Sequence, residues 1–346
     1  MSETSSPLNG AAIIVYHRVA DDPVDPFDQA VGTANFAEHV AVLRERETTT
    51  VAALADAVAA RQVPAGRVAV SFDDGFVDNL RAAAPVLEAA DVPATVFVTT
   101  EPCLTGRPFW WNELAELLVG PQPARGPLEL TTGAGTRRWE LADDAAHADL
   151  IDIWAWLRAR PLEDIEEALT RVRLAAGVTA GGSPAGEAAR NMTPDEVAGI
   201  AATGHITIGG HTRTHPVLAA RTPAEQLDDV RVGRRLLEEW TGAPVLGFAY
   251  PFGKRVADFR AASMRAVKAA GFAFACAIEP RAVTASAPIL ALPRYVVPDV
   301  GGAEFERWLD ACLSSPGGPS GPRALGEELR HRWAERRTPP GRYDLL

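Results

Sequence analysis

Val68-Ala69-Val70-Ser71-Phe72-Asp73-Asp74-Gly75 is the stretch on which the rest of the chain depends. Val68 to Phe72 are β-branched or apolar with one small polar interruption, and Gly66 precedes them, so they are predicted to form a strand. The run does not alternate, which fits a strand covered on both faces, as in a parallel sheet. Two carboxylates end it, and Gly75 permits a sharp turn. Acidic groups at the carboxyl end of a buried parallel strand stand where α/β proteins place their chemistry. Adjacent strand positions face opposite ways, so Asp73 and Asp74 are free to take different tasks, one as a metal ligand and one as a base. A turn with an Asp cap accounts for the same residues, since Asp78 and Asn79 follow.

Outward from this strand the chain keeps a strand–helix rhythm. Ala11–Tyr16, Val92–Thr99, His205–Ile208, Leu246–Tyr250 and Phe272–Ile278 are predicted strands. Asn35–Arg46, Leu54–Arg61, Asn79–Ala90, Thr193–Ala202, Pro223–Trp240, Phe259–Ala270 and Glu304–Leu313 are predicted helices. Thr193 with Glu196 makes a capping box. The alternation implies an α/β fold with a parallel sheet. The rhythm breaks from Glu101 to about Arg190. That segment holds Phe109-Trp110-Trp111, a Gly/Thr-rich stretch from Gly126 to Arg138 and two helical patches, and it reads as an insertion over the mouth of the main domain. The expected division is a disordered segment over residues 1–10, one domain over 11–313, and a Pro/Gly linker with a charged helical tail over 314–346. In that tail Leu325, Leu329 and Trp333 share a face, and Glu327, Glu328 and Glu335 weaken any case for a peripheral membrane contact.

The 346 residues carry a net charge of −11, which argues against nucleic acid as a partner. The three cysteines, Cys103, Cys276 and Cys312, have no CxxC spacing and suit buried thiols rather than a disulfide framework. Met1 to Gly10 lacks a basic region and a leading apolar core, and no run approaches the roughly 18 apolar residues of a membrane span. The expectation is a cytoplasmic protein without a transmembrane segment.

Two further motifs follow strands. In Gly209-Gly210-His211-Thr212-Arg213-Thr214-His215-Pro216 the two histidines are four apart, so both reach one ion if the chain turns tightly. With Asp74 they make three N/O ligands and leave a position for water, the arrangement of a catalytic metal site. Imidazole with carboxylate suits zinc, with cobalt or nickel as substitutes. In Phe248-Ala249-Tyr250-Pro251-Phe252-Gly253, aromatic residues beside Pro and Gly suggest a rigid exposed platform for a sugar ring, with a backbone N–H turned to an oxyanion.

Together the three motifs resemble the polysaccharide deacetylase family, carbohydrate esterase family 4, also called the NodB homology domain. Ser71 to Gly75 matches its (T/S)FDDG motif, His211 to His215 its H(S/T)xxH motif, and Tyr250 to Gly253 its third region. Tyr16-His17-Arg18-Val19 and Leu292-Pro293-Arg294 resemble a bacterial branch with a YHRV start. The resemblance implies a distorted (β/α) barrel of about seven parallel strands and one divalent metal ion. It also implies Asp74, His211 and His215 as ligands and Asp73 as the catalytic base. The implied reaction is removal of an N-acetyl group from an amino sugar in a glycoside, lipid-linked sugar or oligosaccharide. Two other functions fit the same residues: hydrolysis of another amide, as in a deformylase or an allantoinase-like amidase, or silent carbohydrate binding on the same fold.

The chain departs from the family pattern twice. Ala249 stands where an Arg usually orients the base, and no His lies between His215 and His331 to act as general acid. Arg294 is the expected substitute for the first and His17 for the second. Tyr250, Phe252 and Trp111 are the expected substrate-binding residues. His39 and His147 read as surface helix residues, and Trp154 and Trp156 as core of a helix.

Overall fold

The computed structural model describes residues 10–22, 25–178 and 189–314. The proposed disordered N-terminus (save Gly10), most of the Pro/Gly linker and the helical tail with His331 lie outside the described residues. Twelve strands follow in chain order: β1 (Ala12–Tyr16), β2 (Arg18–Val19), β3 (Ala30–Val31), β4 (Thr48–Thr49), β5 (Val68–Phe72), β6 (Ala94–Val98), β7 (Gly126–Thr132), β8 (Gly135–Leu141), β9 (Ile206–Gly210), β10 (Gly247–Ala249), β11 (Phe274–Cys276) and β12 (Tyr295–Val296).

Seven strands run parallel in the order β11-β10-β9-β6-β5-β1-β12 and curl into a distorted (β/α) barrel. Short β4 pairs with Val68 and Ala69 on the edge of β5 that β6 occupies above. The two ends of the sheet meet through a parallel bridge between Cys276 and Leu292. Strand alternation sorts the side chains. Ile14, Tyr16, Val70, Phe72, Phe248 and Tyr250 join the layer between sheet and helices. Ile13, Ala69, Phe97, Ala249, Phe274 and Cys276 fill the interior, together with Val51, Leu54, Ala55 and Val58 of the helix Val51–Ala59. The interior is tight enough to dictate glycine on β9, because a Cβ on Gly209 would lie 2.3 Å from the Phe97 ring.

Register delivers the motifs to one rim. Tyr16 pairs with Phe72 and Val98 with Gly210, so His17, Asp73 and His211 all leave strands at the carboxyl end of the sheet. Thr193 and Glu196 do form the capping box. The helix after β5 starts with a π turn over Asn79–Ala83 before continuing as α-helix from Ala84 to Ala89. Such turns cluster at functional sites, and here the Asn79 side chain donates to the His17 carbonyl at 2.9 Å.

Between β6 and the helix Pro194–Ala202 the chain builds the insertion. Among the described residues it holds a short helix Thr100–Thr105, three longer helices (Trp110–Val119, Ala146–Leu157, Leu162–Ala175) and an antiparallel hairpin of β7 and β8. It has a hydrophobic cluster of its own, in which Phe76, from the loop after Asp74, also takes part. The hairpin stands where the sequence offered only a Gly/Thr-rich stretch. Its signal was the alternation Leu128-Glu129-Leu130-Thr131, of which Leu128 and Leu130 are buried. His39 is a second correction. It is buried against Phe305, with its ring nitrogens on the Tyr16 hydroxyl and the Val300 carbonyl.

Candidate metal centre and active site

Asp73 continues the inward alternation of Ala69 and Ser71. Asp74 then turns away in a left-handed conformation, φ 76°. Thr212, His215 and Phe252 are also left-handed, at φ 68°, 56° and 60°. Four non-glycine residues in that region within one site mark backbone held in place by its surroundings, as is common where geometry serves chemistry.

Asp74, His211 and His215 converge, with one ligand atom from each within 4.8 Å of the others. His211 Nδ1 donates to the Ala249 carbonyl at 2.8 Å, which leaves the Nε2 lone pair free. That Nε2 stands 3.4 Å from Asp74 Oδ1, and His215 Nε2 stands 3.2 Å from the same oxygen. Despite these close approaches Oδ1 is buried with no hydrogen-bond partner. A buried carboxylate oxygen without a donor is costly. Beside two imidazole nitrogens it is a donor set that fits a divalent cation, so these three residues can hold a metal ion. The four polar groups Asp73, Asp74, His211 and His215 are only 1–6% exposed.

Charges at the site are strongly coupled. Burial pushes the Asp74 carboxyl up, but His211 and His215 outweigh it and hold the group well below the usual carboxylate range. Burial pushes His211 down, and Asp73 and Asp74 more than reverse this, so its pKa is raised. His215 is lowered by burial, which favours the neutral imidazole, the form able to hold a metal. Its ring is held by packing: the ring centroids of Trp111, Phe252 and Phe109 lie 4.7, 4.8 and 5.4 Å away.

Arg294 forms two parallel bonds to Asp73, Nη1 to Oδ1 and Nη2 to Oδ2, both 2.7 Å. It is fully buried, with Nε on the Ala277 carbonyl and the guanidinium over the Phe97 ring. The residue precedes β12, a two-residue strand with no distinct sequence signal, and Tyr295 pairs with Ile14. Arg294 therefore enters low in the barrel and reaches up through the interior. Small Ala249, Ala69 and Ser71 line that interior. Burial pushes the Asp73 carboxyl up, while Arg294 and then His211 bring its pKa below the ordinary value.

His17 sits half-buried at the end of β1, on the same rim as Asp73 and Asp74. Trp111 is buried against His215, and Phe252 is half-buried above it. Tyr250 is a correction. Its ring points outward from the barrel, stacks on Phe259 at 3.8 Å and donates its hydroxyl to the Leu290 carbonyl, so it is not an exposed platform for a sugar. Trp154, expected as core, is half-buried and stands 6.1 Å from Phe252. One residue that sequence reasoning missed is Asn191. It follows the insertion, is buried, and donates Nδ2 to the Asp74 carbonyl at 2.9 Å. With Met192 N–H on the Gly75 carbonyl, it fastens the strained loop at Asp74. Nothing local in the sequence announces it, because the partner is a backbone group 117 positions away.

The family model described as polysaccharide deacetylase matches residues 60–118 and 165–275, and so spans both the Asp73-Asp74 and the His211–His215 motifs. The chain belongs to the polysaccharide deacetylase family. Its deacetylase fold recurs in solved structures at low identity. The deacetylase PplD of Streptococcus pyogenes, in complex with acetate, has a TM-score of 0.57 at 13% identity, covering 89% of this chain and 100% of that one. IcaB from Ammonifex degensii scores 0.54 at 19% identity, covering 87% and 97%. A de-N-acetylase from Aggregatibacter actinomycetemcomitans scores 0.53 at 14% identity, covering 87% and 100%. At these identities the likeness concerns the fold. No curated protein matches the chain in sequence. Among the described residues no helix is long and apolar enough to cross a membrane.

Proposed function

We propose that this deacetylase is metal-dependent and removes the acetyl group from an N-acetylated amino sugar, in a glycoside, a lipid-linked sugar or an oligosaccharide. The observation that carries the proposal is the convergence of Asp74, His211 and His215 beside the Asp73–Arg294 pair. Asp74, His211 and His215 would hold a divalent cation, zinc being the best match to two imidazoles and a carboxylate, and when bound it would supply Lewis-acid polarisation and acidify water. Asp73 takes the proton of the attacking water. Arg294 occupies one site on each Asp73 oxygen, and a second lone pair remains on each. The water oxygen bonds to the acetyl carbon. The Phe252 backbone N–H, which has no acceptor among the described residues, receives the oxyanion. His17 returns a proton to the nitrogen as the C–N bond breaks, and acetate and the free amine leave. Phe252 walls the sugar side, whereas Trp111, expected as a sugar contact, is buried beneath it and acts as support. The three free, buried cysteines support a reducing, cytoplasmic setting.

The test is a screen of N-acetylated amino sugars, from monomer to pentamer and nucleotide-linked, read by free amine and by the acid released. Acetate is the expected acid. Formate would instead favour deformylase chemistry, and no acid from any amide would leave only sugar binding.

Arg294 gives a separate expectation. Arg294→Ala leaves Asp73 as an unpaired buried charge, which typically costs about 3–5 kcal/mol of stability, read by urea unfolding. Arg294→Lys keeps the charge but loses the fork, so it is expected to fold and to turn over substrate poorly. Normal turnover in the lysine variant would show that bidentate orientation of Asp73 is dispensable.

For His17 the expectation is a leaving-group effect. His17→Gln is expected to lower turnover on the amide more than on an activated ester, because the ester's leaving group needs no proton, while KM stays close to wild type. Equal losses on both substrates would assign His17 to positioning.

A further inference from the structure

The mechanism above uses the insertion only as support, yet one of its residues reaches the loop that carries the oxyanion donor. Arg158 caps the helix Ala146–Leu157. Its guanidinium carbon lies 4.3 Å from the centre of the Phe252 ring and 5.0 Å from that of Trp154, so the group packs against both rings. The same guanidinium makes an ion pair with Asp258, whose side chain is 2% exposed. Asp258 organises the loop after Phe252. Its Oδ2 accepts from the Lys254 N–H at 2.9 Å, its N–H donates to the Lys254 carbonyl at 2.8 Å, and its carbonyl accepts from Ala219. Phe252 itself is left-handed, which only its surroundings maintain, and its ring contacts the ligand His215. Arg158 Nε is buried without an acceptor. Placing a guanidinium there costs something that an apolar packing residue would avoid, which speaks for a role beyond filling space.

We propose that Arg158 is a positioning residue for the acyl-transfer step. It locks the insertion onto the loop Phe252–Asp258 and holds the Phe252 N–H at the point where the oxyanion forms. The proposal rests on the deacetylase reading for its catalytic part, and its structural part stands alone. An oxyanion donor acts in the transition state and not in substrate binding, so its misplacement is read in kcat rather than KM.

The experiment uses the full chain loaded with Zn²⁺, with Arg158→Ala, Arg158→Lys and the double variant Arg158→Met/Asp258→Asn. The double variant removes the buried charge as well as its partner. Arg107→Ala is the control, since Arg107 pairs with Glu166 inside the insertion. Arg158→Ala and the double variant are expected to lose kcat by a factor on the order of 10–10², the scale of a small misplacement at a reacting centre. KM and zinc affinity are expected to stay within about twofold of wild type, well short of the 10–100-fold that loss of an outer-shell metal partner costs. Added guanidinium ion is expected to restore part of the kcat of Arg158→Ala, Arg158→Lys to retain an intermediate kcat, and Arg107→Ala to behave as wild type. Unchanged kcat, a loss confined to KM, or loss of zinc would overturn the proposal. If the wild type releases acid from no substrate, the deacetylase reading fails, and amide hydrogen exchange over residues 252–258 decides the clamp alone. Faster exchange in Arg158→Ala than in Arg107→Ala supports it, and equal exchange overturns it.

Discussion

Replacing His211 with alanine is expected to abolish metal binding and turnover together while leaving the barrel folded. His211 directs Nε2 at the ligand cluster because its Nδ1 proton is committed to the Ala249 carbonyl. Alanine removes one of three ligands, so metal affinity should fall by more than the roughly 10–100-fold that loss of an outer-shell partner costs. The fold should tolerate the change. His211 follows β9, whose pairing to β6 runs through backbone groups that the substitution leaves intact. The checks are metal content after dialysis, turnover, and the urea midpoint without added metal. A His211→Ala protein that keeps its ion and its activity would show that the ligands lie elsewhere.

Asp73→Asn tests whether the proposed base is distinct from the proposed ligands. The amide cannot take a proton from water, so turnover should drop by a factor on the order of 10²–10⁴, with metal retained through Asp74, His211 and His215. The structure adds a second consequence. Arg294 is wholly buried, and among the described residues its only carboxylate partner is Asp73. Asparagine offers it one acceptor oxygen and no charge, and an uncompensated buried guanidinium is destabilising by about 3–5 kcal/mol. Turnover must therefore be compared at a temperature where the variant is folded. Loss of metal from a folded Asp73→Asn protein would make Asp73 a ligand.

The sign of the pH effect follows from the shifts. Asp73 has a folded pKa below its unfolded one, so its contribution to stability is present above the ordinary carboxylate range and is lost as pH falls through the lowered folded value. Its basic form is complete at neutral pH for the same reason. Asp78 goes the other way. Burial raises it to about 6 against the opposing pull of Arg18.

The rim that carries the candidate site was legible because strand-end motifs are local. Val68 to Phe72 is apolar enough to be a buried strand, and parallel strands of one barrel deliver their carboxyl ends to one face. Asp73, Asp74, His211 and His215 could thus be grouped without knowing the register, which then brought Val98 opposite Gly210 and Tyr16 opposite Phe72. What stayed illegible depends on direction or on long-range partners. Tyr250 lies one position past β10, and whether its ring faced solvent or the Phe259 layer was set by the phase of three residues. His39 is a polar residue on an amphipathic helix, and only the approach of Val300 and Tyr16 makes its burial affordable. Only chemical need ties Arg294 to Asp73 in the sequence. Its path depended on β12, which is too short to carry a pattern of its own. Asn191 and Arg158 act on backbone or aromatic groups of other elements, and no spacing rule reaches them.

The most direct test of a metal-dependent deacetylase is a titration. Protein stripped with a chelator is mixed with increasing Zn²⁺, and acetate release from an N-acetylated amino-sugar oligomer is followed. Turnover is predicted to be near zero without metal, to rise linearly, and to level off at about one ion per chain, as a three-ligand catalytic site requires. Full acetate release from the stripped protein, or a saturated site with no release, would contradict the account.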